Sequence, residues 1–104
     1  MTNWGIRQES AKHKAERAER EAVKRRVRAR DRTCQARERG APGRCGGPLD
    51  VHEVIPRSAW RKGYLVDDNC MLVCRDHHDW IDNHPEQDGP AHTLGLHGFS
   101  WERT

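Results

Sequence analysis

The sequence contains few large hydrophobic residues. Leu, Ile, Val and Phe together account for 15 of its 104 residues. No apolar run approaches the roughly 18 residues of a membrane span, and the charged start lacks the apolar stretch of a secretory signal. These absences predict a cytoplasmic, non-membrane protein in a reducing compartment, where cysteines are metal ligands or free thiols more often than disulfides. A core this small usually needs a structural metal or another cross-link.

Charge is unevenly distributed along the chain. Residues 1–33 carry a net charge of +6 and residues 34–104 a net charge of −3. Between Gln8 and Arg32 there is no Gly or Pro, and strong helix formers dominate, so residues 1–33 are predicted to form a basic helical arm. Its apolar stripe is mostly Ala, which favours a solvated, partly frayed helix. Alternatively, the arm contacts nucleic-acid phosphates through its clustered basic residues Lys24, Arg25, Arg26, Arg28, Arg30 and Arg32.

The rest of the chain predicts a small α+β unit. Alternating apolar residues predict a strand from Leu49 to Ile55, and Cys70–Cys74 form a second apolar run of strand length. Residues 76–83 are predicted to be a short helix that stops before Pro85. Residues 86–104 show no clear period and are assigned to a C-terminal tail. The expected order is strand, loop, strand, helix.

Four residues predict a structural zinc site. Cys34 and Cys45 precede the first strand, while Cys74 and His77 are separated by two residues where the second strand meets the helix. A tetrahedral zinc site takes four ligands of these types, and a two-residue gap is a common chelating spacing. The alternative is that the thiols are simply buried in the core.

Cys70 is a competing zinc ligand that strand geometry disfavours. At a rise of about 3.3 Å per residue, positions 70 and 74 on one strand lie roughly 13 Å apart, too far to share an ion. Cys70 is therefore predicted to be a small buried hydrophobic residue.

A second set of polar residues lies outside the zinc site. His78 and Asp82 are four residues apart and share one face of the predicted helix, whereas His77 points about 100° away from His78. Imidazole and carboxylate groups together suit a hard or borderline cation. The full set is His52, Glu53, Asn69, His78 and Asp82.

These residues resemble the HNH (ββα-metal) nucleases, in particular the small zinc-stapled HNH proteins of bacteriophages. The resemblance covers residues 34–85, half of the chain. It rests on three segments in a fixed order: VHEVIPRS (Val51–Ser58), DDNCMLVC (Asp67–Cys74) and RDHHDWIDNHP (Arg75–Pro85). It implies a ββα-metal (His-Me finger) module with a structural zinc ion.

The resemblance also implies roles for single residues. His52, His78 and Asp82 match ligands of the catalytic ion, and Asn69 matches the Asn that braces the catalytic loop. Glu53 stands where the family has its general-base His. Either Glu53 is the base, or His52 is the base and His78 and Asp82 hold the ion, or the site is inactive.

The implied activity is metal-dependent hydrolysis of DNA phosphodiester bonds in a bacterial or phage-infected cell. The catalytic ion is expected to be Mg²⁺, with Mn²⁺ or Ni²⁺ as substitutes. Arg57 and Arg61 flank the site and are expected to contact phosphates. The alternative function is a non-catalytic, zinc-stapled DNA-binding module. The sequence leaves nicking or double-strand cutting and the oligomeric state open.

Overall fold

The structure is a computed structural model that describes residues 10–103. It is a small α+β fold around one two-stranded antiparallel sheet. Short 3-10 turns occupy Gly63–Leu65, Asp67–Asn69 and Ser100–Glu102. The helices are α1 (Ala11–Asp31), α2 (Gln35–Glu38), α3 (Arg75–Asp82) and α4 (Pro90–Thr93), and the strands are β1 (Leu49–Glu53) and β2 (Cys70–Cys74).

The two strands pair along their full lengths, with Leu49 opposite Cys74 and Glu53 opposite Cys70. Strand β2 occupies the residues that the apolar run predicts. Strand β1 is shorter than the predicted strand, which extends to Ile55. The N–H of Val54 still donates to the backbone carbonyl of Asn69 (2.8 Å), whereas the next N–H, that of Ile55, donates to the side-chain Oδ1 of Asn69 (2.9 Å).

Helix α1 is docked on the sheet rather than frayed in solvent. Oγ of Ser10 caps its first turn by accepting the N–H of His13 at 3.2 Å. Val23 and Val27 are buried against Cys70, with Val51 packed beside them. The predicted start at Gln8 lies outside the described residues. None of the helices within residues 10–103 has the length and apolar composition that crossing a membrane requires.

The main core lies on the opposite face of the sheet and includes the carboxy-terminal segment. Ala91 and Leu96 are fully buried there, together with Ile81 of α3 and Val73 of β2. The N–H of Gly98 also donates to the carbonyl of Val54 at 2.9 Å. The segment assigned to a tail therefore packs, as far as residue 103, against the unit that precedes it.

Candidate metal centre and candidate active-site cleft

All four residues predicted to bind zinc come together in the structure. Cys34 precedes α2, Cys45 lies in the loop before β1, Cys74 ends β2, and His77 lies in the first turn of α3. Their ligand atoms lie within 4.8 Å of one another. The fold therefore contains a Cys3His cluster that could hold a metal ion.

The distances within the cluster suit a tetrahedral ion. Nδ1 of His77 lies 3.4 Å from the sulfur of Cys34, 3.6 Å from that of Cys45 and 3.2 Å from that of Cys74. Bonds of about 2.3 Å to sulfur and about 2.0 Å to nitrogen give a tetrahedral S···N edge of roughly 3.5 Å. The side chains thus already lie at coordinating separations.

Surrounding backbone groups orient the ligands. Nε2 of His77 donates to the carbonyl of Pro42 (3.0 Å), because a carbonyl can only accept, and this leaves the lone pair on Nδ1 facing the sulfurs. The sulfur of Cys34 accepts the N–H of Cys74 at 3.3 Å, and the sulfur of Cys74 accepts the N–H of His77 at 3.4 Å. Such N–H donors stabilise thiolates, the form that binds metal.

The thiols differ in how readily they ionise. Burial opposes ionisation of Cys74, but the N–H of His77 and other donors outweigh it and lower the Cys74 pKa to about 7. Burial and the neighbouring sulfurs raise the pKa of Cys45 to about 11. A negative charge on one sulfur disfavours ionisation of its neighbours, and a bound cation would offset this repulsion.

A tight glycine turn brings Cys45 to the start of α3. Gly47 has φ +77°, and a Cβ there would lie 2.7 Å from Cβ of Arg75. The N–H of Asp76 donates to the carbonyl of Gly46 at 3.1 Å. Only glycine allows both the left-handed backbone and this close approach.

Cys70 is separate from the cluster, as strand geometry predicts. It is buried with Val23 and Val27 beneath α1. Burial, reinforced by nearby carboxylates including that of Glu53, raises its pKa to about 11, so it remains a neutral thiol.

The second set of predicted residues lines a cleft of about 250 Å³ beside β1 and α3. Four of the five predicted residues are there, and Arg57 and His97 join them. The polar lining consists of His52, Glu53, Arg57, His78, Asp82 and His97.

His52 is held in one tautomer. Its side chain is buried, and Nε2 donates to the carbonyl of Leu96 at 2.7 Å, so Nδ1 carries the lone pair. Burial is the largest cause that lowers the His52 pKa, to about 4, which keeps the ring neutral at pH 7. The His52 and His78 ring centroids lie 5.2 Å apart.

Two atoms in this cleft are buried without a partner. They are Oε1 of Glu53 and Nδ1 of His78, and no other buried side-chain N or O atom of residues 10–103 lacks a hydrogen bond. The other carboxylate oxygen of Glu53 lies 3.4 Å from Arg57. Buried polar atoms are nearly always satisfied, so two orphaned atoms in residues that line one cleft make this cleft a candidate site for a water molecule, an ion or a ligand.

Asn69 lies behind the cleft rather than in it. Its buried amide accepts the N–H of Ile55 (2.9 Å) and donates to the carbonyls of Ile55 (3.1 Å) and Gly63 (3.2 Å). These bonds join both ends of the loop that follows β1, and they hold that loop beside Glu53.

The basic residues predicted to contact DNA fall into two groups. The five arm arginines of this set are all exposed, but Arg26, Arg28 and Arg30 hydrogen-bond to the body of the protein, whereas Arg25 and Arg32 make no such bond within residues 10–103. Lys24 lies 3.9 Å from Glu21. Arg57 and Arg61 are exposed on the loop after β1.

The carboxy-terminal segment contributes to the cleft in a way that the sequence does not predict. Leu96 supplies the carbonyl that orients His52, and His97 lines the cleft. No periodic pattern marks this segment, and a backbone carbonyl leaves no signal in a sequence.

Comparisons of the chain with protein-family models, curated proteins and solved structures found no match.

Proposed function

We propose that the protein is a metal-dependent DNA endonuclease of the HNH (ββα-metal) type, stapled by a structural zinc ion in its Cys3His cluster. The observation that carries this proposal is the pair of orphaned buried atoms, Oε1 of Glu53 and Nδ1 of His78, in one cleft with His52 and Asp82. The order strand, loop, strand, helix around that cleft supports the resemblance.

The cleft residues fit a hydrated divalent cation. Within residues 10–103, the Cys3His cluster is the one group of three or more ligand atoms that lie close together, so the cleft offers fewer preformed donors. Mg²⁺ commonly keeps several waters and binds one or two protein groups plus substrate phosphates. The bound ion would stabilise charge on the scissile phosphate and the leaving 3′ oxygen.

His78 and Asp82 are assigned to the ion. They lie one turn apart on α3 and both face the cleft. The neutral ring of His52, whose lone pair is fixed on Nδ1, can either join them as a ligand or accept a proton from the attacking water. Glu53, with one unpartnered carboxylate oxygen, is the other candidate base.

Cleavage of supercoiled plasmid tests the proposal. Wild-type protein should nick or linearise the plasmid with Mg²⁺, Mn²⁺ or Ni²⁺, and His78→Ala should slow cleavage about 100-fold or more because transition-state charge is no longer stabilised. Asp79→Asn is the matched control, since Asp79 is exposed on the same helix. Undiminished cutting by His78→Ala, with its fold intact, would contradict the metal role.

Plasmid cleavage and Mn²⁺ binding, measured together, separate the two candidate bases. If Glu53 is the base, Glu53→Ala should lose cleavage but keep binding of Mn²⁺ to the cleft, whereas His52→Ala should weaken that binding. If His52 is the base, His52→Ala should keep Mn²⁺ binding and lose cleavage. Mn²⁺ binding can be followed by electron paramagnetic resonance on zinc-loaded protein.

A non-catalytic DNA-binding module is the second candidate function. The absence of a second close group of three ligands within the described residues favours it. If the wild-type protein binds DNA but cleaves it with none of the three metals, this second function is supported.

A further inference from the structure

Three of the arginines expected on DNA are used to hold α1 in place. Arg26 forms two hydrogen bonds with the carboxylate of Asp67, at 2.7 and 2.9 Å. Arg30 donates to the backbone carbonyls of Asp67 (3.0 Å) and Cys70 (2.6 Å). Arg28 donates to the carbonyl of Leu49 at 3.0 Å. Phosphate binding by these three groups would compete with the bonds that dock the helix.

The amino-terminal half of α1 presents a different basic surface. It faces the loop between β1 and β2 across a cleft of about 230 Å³, which we call the Tyr64 cleft. The guanidinium carbon of Arg57 lies 4.2 Å from the centroid of the Tyr64 ring, and that of Arg20 lies 5.9 Å from it. The complete lining is His13, Glu16, Arg17, Arg20, Arg57 and Tyr64.

Positive charge predominates in the Tyr64 cleft. Its one carboxylate, that of Glu16, is paired with Lys62 at 3.0 Å. Among residues 10–103, no carboxylate pairs with Arg20. Arg57 makes one contact with Glu53, at 3.4 Å, which leaves its other N–H donors for an anion. Arginine is well suited to binding phosphate because its planar donors match the phosphate oxygens.

The Tyr64 cleft adjoins the candidate active-site cleft through one shared residue. Arg57 lines both clefts, and its guanidinium lies 3.4 Å from Glu53. A polyanion lying along Arg20 and Arg57 would therefore continue toward His78 and Asp82. A mononucleotide would fill only one of the two clefts.

We propose that the Tyr64 cleft binds the phosphodiester backbone of the DNA strand that enters the active-site cleft. That DNA is the ligand rests on the proposed function. The phosphate contacts are then Arg20 and Arg57 rather than Arg26, Arg28 and Arg30. Arg17 lines the same cleft.

The test is the salt dependence of DNA binding by the full, zinc-loaded chain, without added Mg²⁺ so that no cleavage occurs. Fluorescence anisotropy with a labelled DNA duplex gives the dissociation constant over a series of salt concentrations. Arg20→Gln and Arg57→Gln should each weaken binding and flatten the log–log salt slope by about 1. Both side chains are exposed, so the variants should remain folded.

Arg25→Gln is the matched control. Arg25 is exposed on the same helix, and five residues from Arg20 correspond to roughly 140° around the helix axis. Its removal should leave the salt slope close to that of wild type. The inference would be overturned if Arg20→Gln and Arg57→Gln kept the wild-type slope, if Arg25→Gln flattened it equally, or if the chain bound RNA but not DNA.

Failure of the proposed function would look different. A wild-type protein that binds DNA through Arg20 and Arg57 but cuts no plasmid would refute the endonuclease and support the Tyr64 cleft. A protein that cuts plasmid while both variants retain wild-type binding would refute only the cleft.

Discussion

At the scale of single residues, Asn69 has the clearest structural task. Its amide makes three hydrogen bonds that close the loop after β1, and the side chain is 5% exposed. A buried backbone group that loses its partner carries the full cost of desolvation. The Asn69 side chain therefore helps to hold the loop that carries Arg57 next to Glu53, at the end of β1.

Replacing Asn69 should destabilise the fold. Asn69→Ala loses all three bonds, whereas Asn69→Asp keeps an acceptor for the N–H of Ile55 but sets a carboxylate oxygen against the carbonyls of Ile55 and Gly63. We expect a loss of about 1–3 kcal/mol for each buried group left unpaired, and a further loss for Asn69→Asp at neutral pH because its carboxylate would be buried without a cation. Urea unfolding of zinc-loaded protein measures this difference. Equal stability of both variants and wild type would show that the bonds contribute nothing.

Single residues also show what a sequence can reveal about a site. The two-residue gap between Cys74 and His77 is a chelating spacing that the sequence shows directly. The rise per residue along a strand is enough to exclude Cys70 from the same metal site. His97 carries no such signal, because its place in the cleft depends on burial of its neighbour Leu96 in the core. Contacts between distant segments cannot be inferred from local spacing.

At the scale of elements, α1 shows how polar bonds supplement a weak apolar stripe. Its composition predicts a helix but not a docked one, since only Val23 and Val27 are buried. The missing attachment comes from arginine donors and from Asp31, whose carboxylate accepts the N–H of Leu72 at 2.9 Å. Burial alone would raise the Asp31 pKa, but Arg30 and this N–H lower it overall. Such long-range bonds have no periodic signature in the sequence.

Val27→Ala tests whether this docking contributes to stability. Val27 is fully buried, and removing two methyl groups from a packed site should cost about 2 kcal/mol. Arg25→Ala, at an exposed position on the same helix, should change stability by less than about 0.5 kcal/mol. Thermal unfolding compares the two variants. An arm that folds independently of the body would give equally small effects for both.

At the scale of the whole molecule, the Cys3His cluster joins parts of the chain that the small core joins only weakly. Cys34 follows α1, Cys45 lies in a loop, and Cys74 with His77 link β2 to α3. The order strand, loop, strand, helix follows from the sequence, because short apolar runs and turn residues mark it locally. The packing of residues 86–103 does not, because the residues through which that segment reaches the core, Ala91, Leu94 and Leu96, form no recognisable period.

Removing the zinc ion that we propose for the Cys3His cluster should therefore unfold the protein. We expect about one zinc per chain by elemental analysis, and loss of the far-ultraviolet circular dichroism signal after treatment with a strong chelator. Apparent zinc-binding energies of about 10–16 kcal/mol in small metal-folded domains are as large as the whole stability of a typical domain, about 5–15 kcal/mol. Cys74→Ser should lose the metal, whereas Cys70→Ala, outside the cluster, should retain it. A metal-free chain with an unchanged melting temperature would contradict this role, because the core would then be sufficient without the four ligands.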